Sequence, residues 1–84
     1  MEYVIEFGTE FEKSMKKLNK KDKTRFTQIQ KKLLEIVENP EHYKPLSNVL
    51  AGFRRIHFGS FVLIFKIEGN VVRIISLDHH DNSY

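Results

Sequence analysis

The stretch from Gly52 to Phe65 constrains the fold of this chain more than any other. Two apolar-rich runs alternate on either side of Gly59-Ser60, a pair suited to a tight II′-type turn, so the segment is predicted to be a β-hairpin. Arg55 and His57 stand two residues apart on its first strand and therefore share a face, while Arg54 points to the other. A sheet face that carries a guanidinium and an imidazole is either a solvated surface or a site for a phosphate.

The rest of the chain supplies the elements that hold such a hairpin. Residues 2–7 are short, β-prone and bounded by Gly8, which predicts a first strand. Thr9 followed by Glu12 has the form of a capping box, opening a helix that runs to about Leu18. Phe11, Met15 and Leu18 give that helix one apolar face, and Asn19-Lys20-Lys21 breaks the pattern. Asp22 is a suitable N-cap for a second helix. Phe26, Ile29, Leu33 and Ile36 form its stripe, Leu34 and Val37 widen it, and Asn39-Pro40 ends it.

Residues 39–51 carry both prolines and read as a loop, with Leu46, Val49 and Leu50 expected to tuck beneath it. Strands are then predicted at about 52–58, 60–67 and 71–77, the last two joined by a turn at Gly69-Asn70. In the middle one Phe61, Leu63, Phe65 and Ile67 share one face and Val62, Ile64 and Lys66 the other. In the last, Val71, Arg73, Ile75 and Leu77 alternate with Val72, Ile74 and Ser76. The expected fold is α+β, in the order β-α-α-β-β-β. A two-helix hairpin packs on one face of a small, mostly antiparallel four-stranded sheet, and its crossover makes strand one parallel to a later strand.

Length and composition narrow the function. Eighty-four residues leave room for one domain, spanning residues 1–84. The chain has no cysteine, which removes disulfides, thiolate metal sites and a cysteine nucleophile and suits a reducing cytosol. No apolar run approaches the roughly 18 residues of a membrane span, and Met1-Glu2-Tyr3 does not open a signal peptide, so a cytoplasmic protein without membrane contact is expected. The net charge of +3 is unevenly spread: residues 9–38 hold nine Lys/Arg against five Asp/Glu. A basic helical half of this kind either solvates the outer faces of the helices or meets a polyanion, and Lys20 and Lys21 at the helix–helix turn are the first candidates for that contact.

Chemistry-bearing residues gather again at the C-terminus, Asp78-His79-His80-Asp81-Asn82-Ser83-Tyr84. A tail leaving the last strand can fold over the open sheet face, where imidazoles move protons and a phenol stacks on a base. Adjacent histidines diverge on a strand, and no helix carries two at i, i+4, so no metal is expected. The chain has neither a glycine-rich phosphate loop nor a nucleophile elbow, and no cofactor is expected.

Taken together, the element order and these residues resemble the RelE/ParE toxin superfamily of type II toxin–antitoxin modules. The run Lys44-Pro45-Leu46 to Phe61, through Gly52-Phe53-Arg54-Arg55-Ile56-His57, is similar to that family's Pro-Leu to Gly-aromatic-x-Arg-Ile-Arg segment. The ending Ile75-Ser76-Leu77 to Tyr84 is similar to its strand and His-Arg-x-x-x-Tyr tail.

The resemblance implies a toxin held inactive by a cognate acidic antitoxin, as a monomer or in a toxin–antitoxin hetero-oligomer. RelE-like members cut mRNA on the ribosome, whereas ParE-like members poison DNA gyrase; a degenerate member that only binds its antitoxin is a third reading. For a RelE-like nuclease the resemblance implies Arg55, His57, His80 and Tyr84 as catalytic residues, with Arg54, His79, Lys66, Lys20 and Lys21 on RNA. Two positions depart from the pattern: Val62 stands where such nucleases have an arginine on the scissile phosphate, and His80 where the tail has arginine. Lys66 lies on the Val62 face, but about 13 Å along the strand.

Overall fold

A computed structural model describes residues 2–45 and 52–79. Strand β1 (Val4–Phe7) leads into helices α1 (Thr9–Lys21) and α2 (Lys23–Glu38), followed by a short 3₁₀ turn, Pro40–His42. Strands β2 (Phe53–Phe58), β3 (Phe61–Glu68) and β4 (Val71–His79) complete the order expected from the sequence. The sheet runs β1-β4-β3-β2, with β1 parallel to β4 and the other pairs antiparallel. The crossover through both helices therefore does make strand one parallel to a later strand.

The helices cover one face of the sheet. Phe11 and Met15 of α1 and Ile29, Leu33 and Ile36 of α2 meet Ile56, Leu63, Phe65, Val72, Ile74 and Leu77 in one apolar cluster. Leu34 departs from the expected stripe: it is 65% exposed, because the α2 face turned to the sheet is centred on Ile29, Leu33 and Ile36. With Val4 and Phe7 of the edge strand, Leu34 leaves apolar surface open, and a groove lined by Ile5, Phe7, Leu33, Leu34 and Val37 runs between β1 and α2.

The helix ends differ in how they are capped. Asp22 begins α2 as expected, its Oδ1 accepting from the Arg25 amide at 3.1 Å. Asp22→Ala is expected to cost about 1 kcal/mol, the usual worth of such a cap, read as a lower urea midpoint with an unchanged slope. The capping box expected at Thr9 does not form. Gly8 is the N-cap of α1 and makes no side-chain cap bond. Its own amide donates to Ile74 O at 2.8 Å, and its carbonyl accepts from Glu12 N. The tie to β4 fixes the chain one residue before Thr9, so Gly8 takes the N-cap position and Thr9 is already the first helical residue. The same helix runs past Leu18 to Lys21, where lysines complement the negative end of the helix dipole.

Strand β4 carries the largest departure from simple alternation. Ile64 pairs with Ser76 but Phe65 pairs with Ile74, so Ile75 is an extra residue opposite β3. The bulge shifts the phase of the strand. Val72, Ile74 and Leu77 all reach the core, whereas unbroken alternation groups Leu77 with Arg73.

The described residues after α2, up to Pro45, are tied to the sheet and to the N-terminal segment rather than forming plain loop. Tyr43 stands edge-on to Phe65, with ring centroids 5.9 Å apart. Its carbonyl accepts from Arg54 Nη1. Tyr3 donates to Glu41 Oε2 at 2.7 Å, and this bond to a carboxylate raises the phenol above its ordinary pKa. The expected burial of Leu46, Val49 and Leu50 lies outside the described residues.

Candidate functional site

The hairpin folds as its sequence suggests, around Gly59 in the left-handed region at φ +61°. A Cβ at Gly59 would sit 2.5 Å from Arg25 Nη1, so the turn is also a close approach to α2. Arg25 lies over Phe61 as well, 5.5 Å from the ring centre, and pins the hairpin tip to the helix layer.

Arg55 and His57 are exposed on the face of the sheet turned away from the helices. Their cross-strand rows define that surface. His57 pairs with Val62, which pairs with Asp78; Arg55 pairs with Ile64, which pairs with Ser76. Residues two apart on one strand lie about 7 Å from each other, within the reach of one phosphodiester for an arginine and a histidine. Val62 is 3% exposed despite its place on this face, so the middle of the row between His57 and Asp78 is apolar.

The next row is cross-linked. Arg73 Nη2 meets Glu6 Oε1 at 3.1 Å and Glu68 Oε1 at 3.6 Å, and Lys66 Nζ meets Glu68 Oε2 at 3.5 Å and lies over the Phe53 ring. Lys66 is thus held among Phe53, Arg73 and Glu68, and the structure does not bring it to the row of Val62.

The remaining candidates divide. Arg54 is half-buried on the helix side and donates to the Tyr43 carbonyl, a tie between β2 and the 3₁₀ turn. His79 pairs with Phe61, its ring 4.9 Å from that ring, and lines a cleft against α1 on the helix side. It is therefore on the opposite face from Arg55 and His57. The bulge at Ile75 is the cause, and a two-residue period in sequence does not reveal it. Lys20 and Lys21 are exposed in the last turn of α1, and Lys21 lines the same cleft. His80 and Tyr84 lie outside the described residues. The structure also places two further residues of the basic and C-terminal runs. Asp78 sits on the His57 face, and Lys17 joins Lys21 one turn away along α1.

Among the described residues no group of three or more His, Asp or Glu is placed to hold a metal ion. Among the described residues no helix is long and apolar enough to cross a membrane.

The family model described as ParE toxin of type II toxin–antitoxin system, parDE, matches residues 5–84. A Methanocaldococcus jannaschii protein named "Putative toxin RelE4" is 44% identical over 85 residues, covering 98% of this chain and 90% of the relative. The toxin–antitoxin complex RelBE2 of Mycobacterium tuberculosis contains a similar chain, with a TM-score of 0.81 at 23% identity over 94% of this chain and 99% of the other. A doubly substituted Escherichia coli RelE in the free state has a TM-score of 0.76 at 27% identity, covering 99% and 88%. With a matching family model over nearly its whole length and a close archaeal relative, this chain belongs to the RelE/ParE superfamily of type II toxins.

Proposed function

We propose that this toxin is a RelE-like, ribosome-dependent mRNA endonuclease that inhibits translation in the cytoplasm. The observation that carries this reading is the exposed pair Arg55 and His57 on the sheet face turned away from α1 and α2. The relative named RelE4 and the likeness to E. coli RelE support it. The ribose 2′-hydroxyl attacks the adjacent phosphorus; the O2′–P bond forms and the P–O5′ bond breaks, giving a 2′,3′-cyclic phosphate and a 5′-hydroxyl end. His57 takes the 2′ proton, and His80 is the second imidazole proposed to move a proton, toward the departing 5′ oxygen. Arg55 stabilises the charge that builds on the phosphorane oxygens. Tyr84 stacks on or orients a base, and Lys20 and Lys21 help dock the toxin on ribosomal RNA.

The partner when inactive is a cognate acidic antitoxin, in keeping with the toxin–antitoxin complex formed by the Mycobacterium relative. The helices it would meet carry an excess of lysine and arginine, and the apolar groove of Ile5, Phe7, Leu34 and Val37 is the surface its apolar side chains would cover.

A second reading, poisoning of DNA gyrase, is favoured by the apolar, buried Val62 in the middle of the proposed catalytic face. Induced expression followed by mapping of mRNA 5′ ends separates the two. Cuts within translated frames that disappear when ribosomes are removed are the expected result. Inhibited gyrase supercoiling with intact mRNA would overturn the nuclease reading and select the second.

A further inference from the structure

A second cluster of cations lies on the helix side of the sheet, away from Arg55 and His57. Ser14, Lys17 and Lys21 follow one another along α1 at the three- and four-residue spacing that stacks side chains on one helix face. They wall a cleft of about 400 Å³ whose other lining residues are Leu18, Phe61, Leu77 and His79. No acidic residue is among those that line it, within the described residues. The His79 imidazole meets the Phe61 ring at 60°, centroids 4.9 Å apart. The cleft therefore brings together two ammonium groups and a hydroxyl from α1 with aliphatic carbon and the edge-to-face rings of His79 and Phe61 from the sheet, Arg25 lying over the Phe61 ring. That division matches a molecule with an anionic end and a planar, weakly polar end.

We propose that this cleft holds one nucleotide of a single-stranded RNA. Its phosphate meets Lys17 and Lys21, with the Ser14 hydroxyl donating, and its base lies against His79 and Phe61. The proposal rests on the reading of the protein as one that acts on RNA and adds to it a non-catalytic contact. Its position makes it an extension of the catalytic face. Phe61 lines the cleft, while Val62, the next residue, faces the other way and pairs with His57. An RNA strand crossing the end of the hairpin passes from one side to the other.

The test measures binding by fluorescence anisotropy, using the full chain and a fluorescein-labelled decaribonucleotide with 2′-O-methyl sugars, which has no attacking hydroxyl. Lys17→Ala with Lys21→Ala is expected to weaken binding about tenfold or more and to flatten the log–log salt dependence by about 1.4, as for two lost phosphate contacts. Lys13→Ala with Lys16→Ala removes the same charge from the same helix outside the cleft, and it is expected to leave both affinity and salt slope nearly unchanged. His79→Ala is expected to weaken binding about fivefold, in the range of one base-stacking contact, without changing the slope. Equal loss in the two lysine pairs, or no loss in His79→Ala, would overturn the proposal. The assay contains no ribosome and no cutting, so its failure is distinct from failure of the nuclease reading. A toxin that binds through the cleft but cuts no mRNA would retain the cleft alone.

Discussion

Phe65→Ala is expected to remove about 3–5 kcal/mol of the stability of this toxin. Phe65 is fully buried in β3, an inner strand flanked by β2 and β4. It packs in the cluster shared by both helices, and Tyr43 closes over its edge. Truncating a buried phenylalanine costs about 3–5 kcal/mol, the lost transfer energy plus the cavity left behind. A domain of this length holds about 4–13 kcal/mol in total. The loss extends beyond the cavity, because Tyr43 also presents the carbonyl that Arg54 binds; releasing its ring loosens the tie between the 3₁₀ turn and β2. Urea unfolding followed by circular dichroism should show a midpoint lowered by that loss divided by the slope. Leu34→Ala, at a position 65% exposed, should stay within about 0.5 kcal/mol of the parent. Similar midpoints for the two variants would contradict the described core.

Arg55→Ala is expected to leave the fold intact and slow cutting about 10²–10³-fold. Arg55 is exposed on the sheet face opposite the helices, so its removal opens no cavity, and the unfolding free energy should fall by no more than about 1 kcal/mol. Its proposed work is done in the transition state. A donor aimed at the charge that develops there typically contributes a factor of about 10²–10³. Val62 raises that dependence, since the row of His57, Val62 and Asp78 offers no second guanidinium. Arg55→Lys should recover only part of the rate, because an ammonium keeps the charge but loses the planar fork that grips two phosphate oxygens. The measurement is primer extension on a translated message in a reconstituted system. Undiminished cleavage by folded Arg55→Ala would remove Arg55 from the site.

How far the sequence discloses this molecule differs from element to element. The hairpin is legible because Gly59 sits between two clean alternations, and the structure places its strands at Phe53–Phe58 and Phe61–Glu68. The α2 stripe and the Asp22 cap are legible for the same reason, since both are set by residues within a few positions of one another. Gly8 shows the limit. Thr9 and Glu12 satisfy every local requirement of a capping box, yet a hydrogen bond to Ile74, 66 residues away, decides where α1 begins. The candidate site shares that limit. Which residues are basic or aromatic is written in the chain; which of them face one another depends on one bulge whose position no local pattern marks.

That bulge has an evolutionary consequence. In a strand, the side on which a residue emerges is a matter of parity. Ile75 adds one to the count. Everything beyond it, from Ser76 to His79, comes out on the side opposite to the one that strict counting assigns. A single-codon deletion at this point would therefore act less like a lost contact than like a swapped pair of wires. It would exchange the residues offered to the helix cleft with those offered to the open face, while altering none of their identities. Homologous toxins that differ by one residue in this strand can share a tail sequence and still present it to different partners.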